Sequence, residues 1–375
     1  MVSEQARKLH FSSIIVDTHS DSLARSVDDG EDLGTATGRG HMDLPRMRAG
    51  NQTAQFFAAY VHPRYLDNGT SVHRVLRYTD AMRQLCDAYP GEIELALTAG
   101  DVRRIVGAGK LAAILCLEGG HAIVDDLSVL REFHQLGIRY MTLTHNNTSN
   151  WADGILDKPR HDGLTDFGRD VVREMNRLGI MVDISHVAVK TFWDAMETTT
   201  SPVIASHSSS WEICQNPRNI NDDQLRAVAA NNGVVCVNYE VTFVSQLRNE
   251  QEASLNSKRE EEVDEAMRDR GDDTDAVSRI MEEIDLRYKD VVAKLHRPDY
   301  TEIVDHLDHM VEVAGINHVG LGSDFDGCRL PVGMEDCTKV PKITEELIRR
   351  GYADGDIKKI LGENVLRVME AAIGA

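Results

Sequence analysis

Residues that commonly bind metal ions follow several short apolar segments of this sequence. His19 and Asp21 come after the first of them, Glu118 after a later one, and His186 and His207 after two more. Because alternate side chains of a strand point to the same side, His19 and Asp21 could bind one ion together. A carboxylate shared by two ions, with two ligands on each side, would suit ions about 3.5 to 4 Å apart that activate a bridging water for hydrolysis.

Each of these residues also has a structural explanation when it is considered alone. His19 and Asp21 could cap a turn, and Glu118 could favour the beginning of a helix. A single buried histidine such as His186 or His207 is more often hydrogen-bonded within the protein than bound to a metal. The metal hypothesis therefore depends on all five residues meeting at one place.

Two further residue types could act on a substrate. Asp324, in HVGLGSDFDG, is the best candidate to take a proton from an attacking water and deliver it to a leaving group. Asp326 is the competing choice, and we expect it to be structural. Arg218, in NPRNI, could bind a carboxylate through two parallel hydrogen bonds, although an arginine there could also simply lie on the surface.

Strands that end at one face of the fold would bring these residues together. Short segments rich in β-branched residues alternate with amphipathic helical patterns such as Asp166–Leu178, which Gly179 ends, and this alternation is typical of a parallel sheet surrounded by helices. Eight strands are predicted, the number in an α/β fold of the (β/α)8 TIM barrel type, whose strand ends open onto one face. They are predicted at residues 14–17, 54–60, 112–117, 140–144, 181–184, 203–205, 234–238 and 318–322.

A charged segment interrupts this alternation between about residues 246 and 294. Its centre, KREEEVDEAMRDRGDDTD, predicts a helical insertion before the last strand, formed by two helices broken near Gly271. Charged runs of this type usually face water, so we expect a solvated helical face or a mobile lid rather than a binding element. No linker separates the segment, and we expect a single domain across residues 1–375.

Charge and composition exclude several classes of partner. The chain has 41 Lys and Arg against 61 Asp and Glu, a formal net charge of -20, which argues against nucleic acid or an anionic membrane surface. No segment has the composition of a secretory signal or a membrane span, and we expect a cytoplasmic protein with reduced thiols. A homo-oligomer is compatible with the sequence. The cysteines are Cys86, Cys116, Cys214, Cys236, Cys328 and Cys337.

Several of these segments occur together in one known family. In their order and spacing, VDTHSD, LEGGH, LTHNNTSNW, DISH, SHSS followed by PRNI, and GLGSDFDG resemble the membrane dipeptidase (renal dipeptidase) family of the amidohydrolase superfamily. The resemblance covers about residues 14 to 364, apart from the charged segment. It implies a barrel of the amidohydrolase type.

The resemblance also implies a binuclear zinc centre. His19, Asp21 and Glu118 would bind one Zn²⁺. Glu118 and a water or hydroxide would bridge to a second Zn²⁺, which His186 and His207 would also bind. Each chain would therefore carry two zinc ions.

Four residues around the metals receive roles from the same resemblance. His145, in LTHNNTSNW, would polarise the scissile carbonyl or stabilise the oxyanion, and Asp324 would be the general acid and base. Arg218 would bind the C-terminal carboxylate, and Tyr60 is a further substrate contact. The implied activity is hydrolysis of L-Xaa-L-Xaa and L-Xaa-D-Xaa dipeptides by a hydroxide that bridges the metals.

The sequence departs from the animal members of that family. We expect neither a secretory signal nor a lipid anchor, and therefore no attachment to a membrane. Asn147 stands where the disulfide of the animal members would need a cysteine, so we expect no such disulfide. Two alternatives are another binuclear hydrolase, acting on N-acyl amino acids, lactones or phosphoesters, and a non-catalytic metal-binding barrel. Arg218 favours a substrate with a free carboxylate, and Asp324 beside a full ligand set favours catalysis.

Overall fold

Nine strands form one parallel sheet in the computed structural model, which describes residues 2–67, 69–267, 284 and 286–374. The pairing of β2 with β4 closes eight of the strands into a barrel, and β3 pairs with the beginning of β4 outside that ring. The strands are β1 (Val16–Asp17), β2 (Ala54–Tyr60), β3 (Ile93–Leu95), β4 (Leu111–Glu118), β5 (Ile138–Thr142), β6 (Met181–Asp183), β7 (Ile204–Ala205), β8 (Val234–Val237) and β9 (Val319–Leu321).

The predicted (β/α)8 barrel is therefore confirmed. Each of the eight predicted strands overlaps a strand of the closed ring, although most observed strands are one or two residues shorter or shifted. The sequence analysis did not find β3, because three residues with the pattern Ile-Glu-Leu carry too little periodicity to stand out.

Helices cover the outside of the barrel. The predicted helix Asp166–Leu178 is present with those bounds: Thr165 caps its first turn, and Gly179 ends it with a φ of 77°. The helices are α1 (Glu4–Phe11), α2 (Leu23–Asp29), α3 (Leu44–Gly50), α4 (Arg64–Asp67), α5 (Ser71–Ala88), α6 (Ala99–Gly107), α7 (Leu127–Gln135), α8 (Asp166–Leu178), α9 (Val189–Thr198), α10 (Asp222–Ala230), α11 (Val241–Val244), α12 (Gln246–Met267), α13 (Thr301–Ala314), α14 (Pro341–Arg349), α15 (Asp354–Lys358) and α16 (Asn364–Ile373).

Alternate residues of the strands pack on opposite sides of the barrel wall. On β2, Phe56 and Ala58 belong to an inner apolar cluster, whereas Phe57 and Ala59 pack in the larger cluster beneath the outer helices. Helix α16 contributes four residues to the inner cluster, and Arg367 on the same helix donates to Gly233 O, just before β8 begins. This helix therefore closes the barrel at the amino ends of the strands.

A polar layer lies above the inner apolar cluster, toward the carboxyl ends of the strands. Thr142, Asp183 and Ser206 each follow an inner apolar residue of their strand by two positions. Thr142 Oγ1 and Ser206 Oγ both donate to Asp183 Oδ2, at 2.6 and 2.7 Å. Glu118 follows the inner residue Cys116 in the same way, so the period of the strands brings polar side chains to the open face.

The charged segment lies between β8 and β9, as predicted, and its described part is helical. Helix α12 occupies residues 246–267, and residues 286–292 are also helical. Gly271, where we predicted a break, lies outside the described residues.

The six cysteines are all within the described ranges, and all are free thiols, as expected. Among the described residues, no helix is both long and apolar enough to cross a membrane.

Candidate metal centre and substrate cavity

The carboxylate of Glu118 is the meeting point of three predicted metal ligands. Its Oε1 lies 3.0 Å from His186 Nε2 and 3.5 Å from His207 Nε2, and its Oε2 lies 3.5 Å from His19 Nε2. His186 Nε2 and His207 Nε2 are 2.7 Å apart. All of these side chains are buried, so residues from β4 and from the ends of three other strands converge on one enclosed carboxylate.

The remaining predicted ligand, Asp21, lies on the other side of His19. Its Oδ2 is 3.8 Å from His19 Nε2. Ligand atoms of His19, Asp21 and Asp324 lie within 4.8 Å of one another, and so do those of Glu118, His145 and His186. The structure therefore brings all five predicted ligands together and adds Asp324 on one side and His145 on the other.

Hydrogen bonds fix the orientation of all three ligand histidines. His19 Nδ1 bonds to Tyr140 Oη at 2.7 Å, and His186 Nδ1 bonds to Asn146 Oδ1 at 2.8 Å. His207 Nδ1 bonds to Ser206 Oγ at 2.7 Å. Since the hydroxyls of Tyr140 and Ser206 donate their own protons elsewhere, each histidine donates from Nδ1 and turns its Nε2 toward the centre.

Charge and burial make this centre suitable for cations. His19 Nε2 and Asp21 Oδ1 are buried and make no hydrogen bond to any described part of the chain. Burial opposes protonation of His19, but the charges of Glu118 and Asp21 prevail and raise its pKa to about 10. Burial lowers the pKa of His186 and of His207 well below the ordinary value, which keeps their lone pairs available. A mixed set of imidazole and carboxylate donors around unsatisfied atoms fits a pair of zinc-like ions.

Asp324 is held beside the centre in a strained conformation. It has a φ of 62°, in the left-handed region that non-glycine residues rarely adopt, and Asn238 Nδ2 donates to its Oδ2 at 3.0 Å. Burial raises the pKa of Asp324 to about 6, which suits a group that exchanges protons near neutrality. A Cβ atom at Gly327 would collide with both Asp21 and Asp324, so only glycine fits there.

Asp326 has the structural role that we predicted for it. Its Oδ1 accepts a hydrogen bond from the backbone of His41 at 2.6 Å, and its backbone N–H donates to His41 Nδ1 at 2.9 Å. Arg25 pairs with its Oδ2 at 3.3 Å. These contacts anchor the loop before α3 to the loop after β9.

Above the metal-ligand cluster, a cavity of about 880 Å³ contains the predicted substrate residues. His145 and Tyr60 lie on one side, with their rings 4.9 Å apart, and His145 is 4.6 Å from the ring of His186. Burial lowers the pKa of His145, so its imidazole is neutral near pH 7. Arg218 also lines the cavity, and its guanidinium packs over the ring of Phe243 at 5.4 Å.

Sequence reasoning missed the residues that support the ligands. Five residues contact a predicted ligand or Asp324, either directly or through one hydroxyl group: Tyr140, Asn146, Ser206, Asp183 and Asn238. Their residue types are common, and only the strand period could have indicated four of them: Tyr140, Asp183, Ser206 and Asn238 point inward from β5, β6, β7 and β8.

The fold and the cavity together define a class of protein. A (β/α)8 barrel with histidines and carboxylates clustered at the carboxyl ends of its strands is typical of metal-dependent hydrolases. The chain belongs to the membrane dipeptidase family (peptidase family M19), whose model matches residues 3–374. It is therefore a metallo-dipeptidase.

Solved structures agree with this assignment. The chain is 26% identical to the metallopeptidase dipeptidase AC, covering 97% of this chain and 99% of that one with a TM-score of 0.79. It is also 26% identical to a metallopeptidase from Rhodobacter sphaeroides bound to a phosphinate mimic of the dipeptide L-Ala-D-Ala, with 96% and 99% coverage and a TM-score of 0.77. The probable dipeptidase PvdM from Pseudomonas aeruginosa, 24% identical over 99% of this chain and 98% of that one, shares the fold with a TM-score of 0.87.

Proposed function

We propose that the protein is a zinc-dependent dipeptidase that cleaves L-Xaa-L-Xaa and L-Xaa-D-Xaa dipeptides. His19, Asp21 and Glu118 would hold one zinc ion, and Glu118, His186 and His207 would hold the other. The metals, when bound, supply Lewis acidity and lower the pKa of water at the site. The relative that binds a mimic of L-Ala-D-Ala supports the inclusion of L,D substrates.

The observation that carries the proposal is a buried arginine in the same cavity as the metal-ligand cluster. Arg218 is 4% exposed, and within the described part of the chain its guanidinium makes one long hydrogen bond, from Nη2 to His207 O at 3.4 Å. Burial lowers its pKa to about 10, so it remains charged near pH 7. A buried cation with unused donors is suited to a substrate carboxylate, which only a substrate with a free C-terminus brings to this position.

The other residues of the cavity have distinct tasks. Neutral His145 donates a hydrogen bond to the carbonyl oxygen as negative charge develops there. Asp324, held by Asn238, receives the proton of the attacking water and passes it to the leaving amine. Tyr60 contacts the substrate from the side of His145. A cytoplasmic location remains a prediction from the sequence.

Arg218→Ala tests the substrate class. We expect kcat/KM for L-Ala-L-Ala to fall by about 30-fold or more, since truncating one partner of a buried charge pair costs about 2 to 5 kcal/mol. The two zinc equivalents should remain bound. Arg226→Ala, which removes an exposed arginine on α10, is the matched control. Normal dipeptide turnover by Arg218→Ala would contradict the assigned role.

Metal analysis tests the centre itself. About two zinc equivalents per chain and loss of activity with a chelator are expected, and Glu118→Gln should lose the paired site and the activity together. A purified protein without metal that cannot be activated by zinc, or a Glu118→Gln variant with both ions and normal rates, would overturn the proposal.

A further inference from the structure

One face of the charged helix α12 forms part of the wall of the substrate cavity. Asn249, Glu252, Ala253 and Asn256 all line it. These positions follow the i, i+3, i+4, i+7 spacing of one helical face. The described part of the charged segment is therefore more than the solvated face that its composition predicts.

Ion pairs fix α12 against the mouth of the barrel. Glu252 pairs with Arg248 on its own helix at 2.9 Å and with Arg329, in the loop after β9. Arg329 also binds Glu240, just after β8, through Nη2 at 2.5 Å and through its backbone N–H at 2.7 Å. Glu240 and Arg248 are buried, and the half-exposed Arg329 joins Glu240 to Glu252, so these ion pairs hold the lining face of α12 against the loop after β9.

The same helix lies beside the residues that position Arg218. Asn216 Nδ2 donates to Asn249 Oδ1 at 3.0 Å, and the backbone N–H of Gln215 donates to Gln246 Oε1 at 2.7 Å. Phe243, under the guanidinium of Arg218, belongs to α11, which directly precedes α12. The side of the cavity that receives the substrate carboxylate is therefore the side that α12 covers.

We infer that this face of α12 is the subsite for the side chain of the C-terminal residue of the dipeptide, and that Ala253 sets its size. The inference rests on the proposed function. With the scissile bond at the metal ligands and the carboxylate at Arg218, the C-terminal residue spans the gap between them, next to α12. Ala253 leaves room between Asn249 and Asn256, whose amides make the subsite polar. The N-terminal residue lies on the other side of the scissile bond from the carboxylate, and therefore farther from Arg218 and from the face of α12 beside it.

Two dipeptides of the same composition test this placement, L-Ala-L-Phe and L-Phe-L-Ala, with L-Ala-Gly as the reference. For Ala253→Phe we expect kcat/KM to fall at least 10-fold for L-Ala-L-Phe and less than twofold for L-Phe-L-Ala and L-Ala-Gly. Ser254→Phe, which adds the same ring at the next residue outside the lining face, should leave all three unchanged. Asn256→Leu is a second variant, which should raise the ratio of kcat/KM for L-Ala-L-Leu over L-Ala-L-Asn at least fivefold.

The outcomes separate this inference from the proposed function. If the zinc-loaded wild type cleaves none of these dipeptides, the proposed function fails and the inference fails with it. If the wild type cleaves them but Ala253→Phe affects the two isomers equally, or impairs only L-Phe-L-Ala, the subsite assignment alone is wrong. Unchanged circular dichroism and zinc content in each variant would show that a selective loss of activity does not come from unfolding. If Asn256→Leu leaves the ratio of kcat/KM for L-Ala-L-Leu over L-Ala-L-Asn unchanged, the subsite assignment is also wrong.

Discussion

At the scale of single residues, Ser206 connects a buried carboxylate to a metal-ligand candidate. Its hydroxyl donates to Asp183 Oδ2 and accepts from His207 Nδ1, both at 2.7 Å. Asp183 also accepts from Thr142 Oγ1 and from two backbone N–H groups, so its position is fully determined. Through Ser206 it holds the proton of His207 on Nδ1 and leaves the Nε2 lone pair free for a metal.

Replacing Ser206 with alanine should therefore weaken metal binding without dismantling the fold. We expect the zinc affinity to fall by roughly 10- to 100-fold, the usual effect of losing a partner that orients a ligand. Competition with a chromogenic chelator measures the affinity directly. Ser208→Ala removes a neighbouring buried hydroxyl that bonds to Ser185 rather than to a ligand, and it should bind zinc normally. Equal affinities in the two variants would contradict the role of Ser206.

The sequence predicted the candidate ligands but not the residues that orient them, and the reason is chemical. His19, Glu118 and Asp324 belong to residue types that bind metals or move protons, so their positions after apolar strands were informative. Tyr140 and Asn146 are ordinary in type, and their roles depend on which side chain faces them across the barrel. That information exists only once strands far apart in sequence have paired.

At the scale of elements, the strand pattern was predictable because it follows from local periodicity. β2 and β4 are long and apolar, and they were predicted within one residue of their observed bounds.

Helix α12 shows the opposite case. Its charged composition predicts a face turned to water, yet Glu252 is held by Arg329 from a loop about eighty residues away along the chain. Ion pairs between distant segments leave no periodic signal in a sequence.

Another long-range contact joins α13 to the loop that follows β7. His306, on α13, is buried. Its Nδ1 accepts a hydrogen bond from the backbone N–H of Ser210 at 3.0 Å, and its Nε2 donates to Val244 O at 3.0 Å. Burial lowers its pKa from 6.5 to about 4. A charged imidazole would also lose the bond from Ser210, because Nδ1 would then carry a proton. Only neutral His306 holds α11, α13 and this loop together.

Acid should weaken the fold through His306. Its pKa is lower in the folded state than in the unfolded state, so its contribution is fully present above about pH 6.5 and is lost as the pH falls toward 4. Between pH 7 and pH 5 the expected loss is about 2 kcal/mol. In His306→Gln, which keeps a donor for Val244, the fall in unfolding free energy over that interval should be smaller by this amount. Urea unfolding at both pH values measures it, and identical falls in the two proteins would contradict the assignment.

At the scale of the whole molecule, the barrel encloses part of a large negative charge. The formal net charge is -20, and Asp21, Glu118 and Asp324 meet at one end of the barrel, where they line the substrate cavity. Burial and the charge of Glu118 raise the pKa of Asp21 well above its usual range, a sign of mutual repulsion. Cations at this position relieve that repulsion, so metal binding and stability of the fold should be coupled.

Removing the metal should consequently lower the thermal stability of the whole barrel. A ligand that binds only the folded state at about 100 times its Kd stabilises it by about 2.7 kcal/mol. For a chain of this size that corresponds to a fall in Tm of roughly 3 to 4 °C on chelation, reversed by added zinc. In Glu118→Gln, which lacks the shared carboxylate, both the fall and its reversal should be much smaller. Differential scanning calorimetry of the two proteins, each with and without chelator, makes the comparison. If the wild type loses its zinc and its Tm does not change, the carboxylate cluster is stable without cations. The proposed coupling between metal binding and stability of the fold would then be wrong.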